Sequence, residues 1–308
     1  MKWYQVKEQA AGEKRLMTLW YLYKFLGKNV VCLLTAIIAF CAFCSSKQMR
    51  EYSKKNLSVI FNYTNNVDAK PTLLNSYRLV LNYALSLVDR MEVFAHRFDD
   101  TKIVFDSNEE KSLLETDINE KKGIFFICSH IGNIEVLRTF IQKPMNPLNP
   151  HVNIFLSETQ CRIFNGFLKR IQAKTDVSVY PVENISIDTA IEMKDKLDNA
   201  QIAIMAGDRV SSLSENTSFK IHFLNRIVEF PLGTFKFAQM METPVYFIAA
   251  IKDKNGFYKI HMKKYRRQKE LTKSQNTKLM QSEYINFLEK MVKLAPLQFY
   301  HFYNVFGG

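Results

Sequence analysis

Apolar residues in this chain fall in short dense runs separated by polar turns, with one long uncharged run near the start. Val30–Ser46, VVCLLTAIIAFCAFCSS, carries no charge and is bounded by Lys28 and Lys47. It is a little short of the roughly 20 residues that cross a hydrocarbon core. The charged lead before it is too long for a signal peptide, and no small-residue cleavage site follows. Trp20, Tyr21, Tyr23 and Lys24 precede the run and suit a membrane interface. The run reads as a membrane anchor, with a helix buried in a core as the alternative. Asn56–Thr72 is largely polar and predicts a connector that turns at Asn65-Asn66. Thr72–Phe94 then sets Leu73, Leu74, Tyr77, Val80, Leu81, Ala84, Leu87 and Val88 at helical spacing, which predicts a long amphipathic helix with its stripe toward the core.

From Ile103 the period changes, and short β-rich runs alternate with helical patterns. The pattern predicts strands near Ile124–Ser129, Val152–Leu156, Val177–Tyr180, Ile202–Ala206 and Val245–Ile251. Helices are expected near Ile134–Gln142, Arg162–Ala173, Ile185–Asn199, Thr234–Met241 and Ser282–Leu294. Such alternation predicts an α/β fold, a mostly parallel sheet flanked by helices, preceded by the N-terminal hydrophobic anchor helix. The chain divides on this reading into an interfacial and membrane-anchor segment, residues 1–55, and an α/β domain, residues 56–308.

Chemistry concentrates in Gly123–Arg138, GIFFICSHIGNIEVLR, where an apolar strand-like run stops at a histidine. Ser129, His130, Ile131 and Gly132 break the run, and Asn133 offers a helix cap before Ile134 and Glu135. Strand-to-helix turns at the carboxyl ends of strands are where open α/β sheets place their sites. Glu135, in the first helical turn, is expected to fold back on His130, fix its ring and make it a general base. The spacing alone also fits a capping histidine beside a solvated glutamate. Cys128 shares a strand face with His130 and reads as the thiol of a Cys–His pair or as a small buried hydrophobe. Asp208 and Arg209 follow the strand-like Ile202–Ala206. They border the same cleft if that strand is parallel to the first, or form a structural ion pair at a turn.

Charge narrows the partners. The chain of 308 residues carries a net charge of +12, which calls for an anionic partner. No zinc finger, RNA-recognition signature or helix-turn-helix spacing is present, so no nucleic acid is expected. Anionic lipid headgroups and an acidic carrier protein fit the same charge. The five cysteines hold no paired C-x-x-C motif, so no metal site is expected.

His130-x-x-x-x-Glu135, HIGNIE, resembles the His-x4-Asp/Glu block of the lysophospholipid acyltransferase superfamily, most closely the form in bacterial lipid A late acyltransferases. Gly207-Asp208-Arg209, Phe230-Pro231-Leu232-Gly233 and Pro296-Leu297-Gln298-Phe299-Tyr300 follow in that family's order. The aromatic tail PLQFYHFYNVF is similar to acyltransferases of aryl polyene and flexirubin clusters. Two positions differ: Phe155-Leu156-Ser157-Glu158 lies where an arginine-bearing block is usual, Arg162 being the nearest arginine, and Asn225 stands where relatives often have glycine.

The resemblance implies a glycerol-3-phosphate acyltransferase-like fold and a membrane-associated enzyme on the cytoplasmic face of a bacterial inner membrane. It would move an acyl chain from acyl-carrier protein or acyl-CoA, as co-substrate without other cofactor, to a hydroxyl or amine of a lipid acceptor. His130 and Glu135 would be catalytic, while Asp208, Arg209, Arg162, Pro231 and Gly233 would contact substrate. An imidazole of ordinary pKa near 6.5 suits proton removal from the attacking acceptor, and direct attack needs no Gly-x-Ser-x-Gly elbow. Backbone N–H groups at the start of the Ile134 helix, Arg162 or Arg209 would supply oxyanion donors. Two alternatives remain open from sequence: a glycerophospholipid acyltransferase, which usually carries Asp in place of Glu135, and a non-catalytic basic adaptor of membranes or nucleic acid.

Overall fold

A computed structural model of the chain describes residues 12–64, 71–136, 139, 150–171, 176–210 and 218–307. Three helices come first: α1 (Glu13–Ser45), α2 (Lys47–Tyr63) and α3 (Leu73–Phe94). Then follow β1 (Ile103–Phe105), α4 (Asn108–Asn119), β2 (Ile124–Cys128), β3 (Val152–Leu156), α5 (Glu158–Ile171), β4 (Val177–Pro181) and α6 (Ile187–Asp198). The rest is β5 (Ile202–Ala206), β6 (Ser218–Phe223), β7 (Arg226–Pro231), α7 (Gly233–Met241), β8 (Val245–Lys252), β9 (Tyr258–Tyr265) and α8 (Lys273–Leu294). Seven strands form one sheet in the order β1-β9-β8-β2-β5-β3-β4, and β6 and β7 make a separate hairpin. Neighbours are parallel except β8 and β9, which run antiparallel. The sheet is therefore mostly parallel and flanked by helices, as the alternation of patterns predicts.

Burial explains the sequence of β2. Its five residues are all buried, because Phe125 and Ile127 face α7 and α8 while Ile124, Phe126 and Cys128 face a second core shared with α4. A strand covered on both faces reads as a continuous apolar run. The two acids that brace this layer are buried as well. Asp89 of α3 accepts from Lys252 Nζ at 2.7 Å and Tyr258 Oη at 2.6 Å, and Lys28 of α1 lies 3.4 Å away. Asp117 of α4 accepts from Tyr246 Oη at 2.6 Å and also meets Lys264.

The N-terminal region departs from the expected connector. Helix α2 occupies the first part of the expected connector, and residues 55 and 56 fall inside it. Its buried face includes Ser53 and Asn56 as well as Leu57 and Ile60, which hides the apolar period; the expected turn at Asn65-Asn66 lies outside the described residues. Helix α1 is long and apolar enough to cross a membrane. It bends at Gly27, where φ is 74°, and lays Met17, Tyr23 and Val31 against Val88, Met91 and Phe94 of α3 and Phe167 of α5. Its opposite side is bare: Phe25 is 75% and Leu33 64% exposed, with Ile37 alongside. Leu73 and Leu74 of α3 are exposed too.

Candidate active site

Register places the site. Cys128 at the end of β2 pairs with Ala206 at the end of β5, so the residues two places beyond each strand lie side by side. These are His130 and Asp208. His130 Nδ1 lies 2.9 Å from Asp208 Oδ1, and the His130 backbone N–H donates to Asp208 Oδ2 at 2.7 Å. Two glycines make the approach possible. Gly132 has φ 67°, and a Cβ there would sit 1.9 Å from the Ala250 carbonyl oxygen, a distance no side chain survives. A Cβ on Gly207 would meet Ile127 Cγ2 at 2.8 Å and the Tyr284 ring at 3.0 Å. Tyr284 Oη and the Gly207 N–H both donate to the Cys128 carbonyl, each at 2.9 Å, and lock the two strand ends together.

The late aromatic segment closes the constellation. Ile131 bridges to Phe299, the Tyr300 N–H donates to the His130 carbonyl at 2.8 Å, and Gly132 N–H donates to the Gln298 carbonyl at 3.0 Å. His301 Nε2 then meets Asp208 Oδ2 at 3.0 Å, and His301 Nδ1 lies 3.0 Å from Tyr303 Oη. Asn56 of α2 donates to the carbonyls of His301 and Tyr303, which holds this segment down.

Electrostatics fix the protonation states. Burial raises the Asp208 pKa, but the charge and hydrogen bonds of His130 and His301 overcome it and hold the carboxyl well below its ordinary value. Burial pulls His301 down to about 4, so the ring is neutral and donates from Nε2 to Asp208. Tyr303 Oη is then the donor to Nδ1. Burial and the charge of Arg209 pull His130 below 6.5 against the pull of Asp208. Its Nδ1–H donates to Asp208, which leaves Nε2 as the basic lone pair. The side chain of His130 remains 36% exposed, toward a cavity of about 950 Å³ that it lines. Most of that wall is apolar, including Leu19, Leu34, Ile38, Ala84 and Leu87 from α1 and α3.

Several sequence expectations are redistributed. Glu135 is half-buried on the cavity wall, but the carboxylate hydrogen-bonded to His130 Nδ1 is Asp208. Chain proximity suggested Glu135; strand register delivers Asp208. Arg209 lines the cavity, donates from Nη2 to the Tyr300 carbonyl at 2.8 Å and lies over the Tyr303 ring. Arg162 is exposed on α5 and is not among the cavity-lining residues. Pro231 closes β7 and Gly233 begins α7, away from the cavity wall; they place Thr234, whose hydroxyl donates to the Ala206 carbonyl at 2.9 Å. Asn225 occupies the β6–β7 turn at φ 59°, a left-handed conformation that asparagine adopts more readily than most residues with a side chain. Cys128 is buried, and desolvation together with the Asp208 charge pushes its thiol far up, which makes it a poor nucleophile. The backbone start of the Ile134 helix is described only to Val136 and at residue 139.

Three residues of the site escape sequence reading. His301 sits in an aromatic tail whose composition suggests packing. Arg90 lies on the cavity wall from α3, where it passes for the polar side of an amphipathic helix. Tyr303, also on the wall, has the same disguise as His301. His130 Nδ1, Asp208 and His301 Nε2 lie within 4.8 Å of one another, a spacing a metal ion could use. The carboxylate oxygens, however, already accept three N–H groups from the two histidines, so the arrangement fits a hydrogen-bonded relay and not a ligand set. Compared with known proteins, the chain matches no family model and no curated protein sequence.

Proposed function

We propose that the protein is a membrane-associated acyltransferase. It moves an acyl chain from a thioester, on acyl-carrier protein or coenzyme A, to a hydroxyl or amine of a lipid acceptor. The observation that carries the reading is an imidazole with an orienting buried carboxylate, opening onto a large apolar cavity. His130 Nε2 takes the proton from the acceptor as its oxygen or nitrogen attacks the thioester carbon. The carbon–sulfur bond then breaks, and the thiol leaves with the proton from His130. Asp208 stabilises the imidazolium during the exchange, and Arg209 faces the developing oxyanion. The cavity wall contributed by α1 and α3 accommodates the chain.

The resemblance of HIGNIE and the three later blocks to lipid A late acyltransferases supports the reading, and a glycerol-3-phosphate acyltransferase-like fold is the arrangement it proposes for the sheet. The bare apolar side of α1, with Leu73 and Leu74, supports attachment to the cytoplasmic face of a bacterial inner membrane. Comparing lipids by mass spectrometry in cells with wild-type protein and with His130→Ala tests the proposal. Loss of one acylated lipid species in the variant is expected. Identical lipid profiles, with both proteins folded and present in equal amount, would overturn it. A covalent acyl adduct on Cys128 would replace direct attack by a two-step transfer.

A further inference from the structure

We propose that His301 is a positioning residue that acts on His130 through Asp208: its ring N–H takes up part of the carboxylate's charge, so that the Nδ1 proton stays on His130 while Nε2 works. The effect on turnover rests on the acyl-transfer reading; the effect on the His130 ring does not. Asp208 Oδ1 faces His130 Nδ1 at 2.9 Å, while Oδ2 accepts both the His130 backbone N–H at 2.7 Å and His301 Nε2–H at 3.0 Å. His301 is buried, with the Phe299 ring 4.1 Å away between centroids, and Tyr303 Oη lies 3.0 Å from its Nδ1. With Nδ1 accepting from Tyr303, Nε2 is the nitrogen that carries the proton, and it is aimed at the acid. Packing alone does not ask for this ring. Its neighbours are Phe299, Tyr300 and Phe302, and a phenylalanine at 301 would fill the place with no polar atom to satisfy. The imidazole is kept although it must stay neutral in the fold, and what it supplies is one donor.

A carboxylate in a dry site is a strong base unless hydrogen bonds share its charge. Facing His130 with fewer donors, Asp208 would hold the imidazolium so tightly that the ring is protonated before an acceptor arrives. Each further N–H weakens that grip. Burial and the charges of Arg209 and Arg90 favour the neutral ring, Asp208 favours the charged one, and Glu135 stands on the same cavity wall. The thiol of Cys128 and the phenols of Tyr284, Tyr300 and Tyr303 are pushed up by burial and stay neutral. Losing the His301 N–H therefore leaves more of the carboxylate's charge for His130, and the ring gains its proton at a higher pH. A general base works only when neutral, so the acid limb of the rate profile moves to higher pH as well.

The test follows the His130 ring by NMR across pH in full-length protein with labelled histidine, held in detergent micelles; loss of the signal in His130→Ala assigns it. His301→Phe is expected to raise the His130 midpoint by roughly half a unit to one unit, the worth of one hydrogen bond. His301→Gln, whose amide N–H reaches the place of Nε2, should restore it. Tyr303→Phe, which leaves the His301 tautomer unfixed, should shift it the same way by less. Thiol release from lauroyl-coenzyme A and from lauroyl-acyl-carrier protein, with total bacterial lipid as acceptor, gives the second readout. There His301→Phe should lower kcat roughly tenfold to hundredfold with KM little changed, the scale on which a partner behind a functional group acts. A wild-type midpoint in folded His301→Phe, or in Tyr303→Phe should the first not fold, would overturn the proposal, as would a loss confined to KM. A shifted midpoint in a protein that releases no thiol from either donor leaves the positioning role standing and removes the acyl-transfer reading. Normal turnover with an unmoved midpoint does the reverse.

Discussion

Replacing Asp208 by asparagine keeps the shape of the side chain but removes the charge that steadies an imidazolium and offers His130 Nδ1 an amide that can turn either way. Acyl transfer should fall by about 10²- to 10⁴-fold, the range of a lost general-base function. Glu135→Gln should cost less, since Glu135 stands on the wall and Asp208 holds the ring. Initial rates on both variants, each checked by circular dichroism, decide the order; a larger loss from Glu135→Gln would restore the neighbour in sequence as the orienting acid. Gly132→Ala tests the turn itself. With the Ala250 carbonyl 1.9 Å from a new Cβ and φ at 67°, the loop must move, and we expect a stability loss of about 2–4 kcal/mol in thermal unfolding. At this scale the sequence displays His130, Gly132 and Asp208 openly, since each follows an apolar run that ends abruptly. It hides the pairing, because which strand tips adjoin depends on sheet order. His301 and Arg90 stay hidden for another reason: their neighbours in sequence look like packing and like a solvated helix face.

Elements buried on both sides are the legible ones. The runs at β2 and β5 are continuous and apolar, β3 is broken only by the buried Asn153, and the bounds of all three agree with expectation to within a residue. The missed elements carry mixed patterns. β9, YKIHMKKY, interleaves lysines with its buried positions, and the β6–β7 hairpin turns at Leu224-Asn225 without a glycine. α4 has only Leu114 and Asp117 buried, too little apolar surface to announce a helix. α1 shows what element-level burial adds to hydropathy. One side is packed on α3 and α5 and the other is bare, so lipid would be met by that bare side, with the helix lying along the membrane. Phe25→Lys with Leu33→Lys should therefore release the protein from anionic vesicles without changing its melting temperature much. Vesicle flotation and thermal scans together check this; persistent flotation of the folded double variant would mean that attachment lies elsewhere. Removing α1 altogether is a poorer experiment, because Lys28 would leave Asp89 and Glu92 and expose Val88 and Met91.

Across the whole molecule, the buried relay links stability to pH. His301 has its ordinary value of 6.5 when unfolded and about 4 when folded, so the unfolded chain binds the extra proton first. Stability is then greatest above pH 6.5 and declines as pH falls toward 4, by up to on the order of 3 kcal/mol from this ring. The lowered value of His130 acts in the same direction. Asp208 extends the loss to more acidic pH, where its protonation costs the folded state more than the unfolded one. His301→Asn, which keeps an N–H for Asp208 but cannot titrate, should flatten the decline between pH 6.5 and 4 in chemical denaturation. An unchanged slope would show that His301 does not carry the linkage. The same relay has a consequence for the order of synthesis. Asp208 must wait for His301, 93 residues downstream, and Asn56 for the same segment, 245 residues downstream. A ribosome makes α1 long before it makes the partner that completes the acid's hydrogen bonds. On the proposed reading, a nascent chain has no complete His130–Asp208–His301 relay, and a thioester donor would meet no finished site until the last residues of the chain have been made.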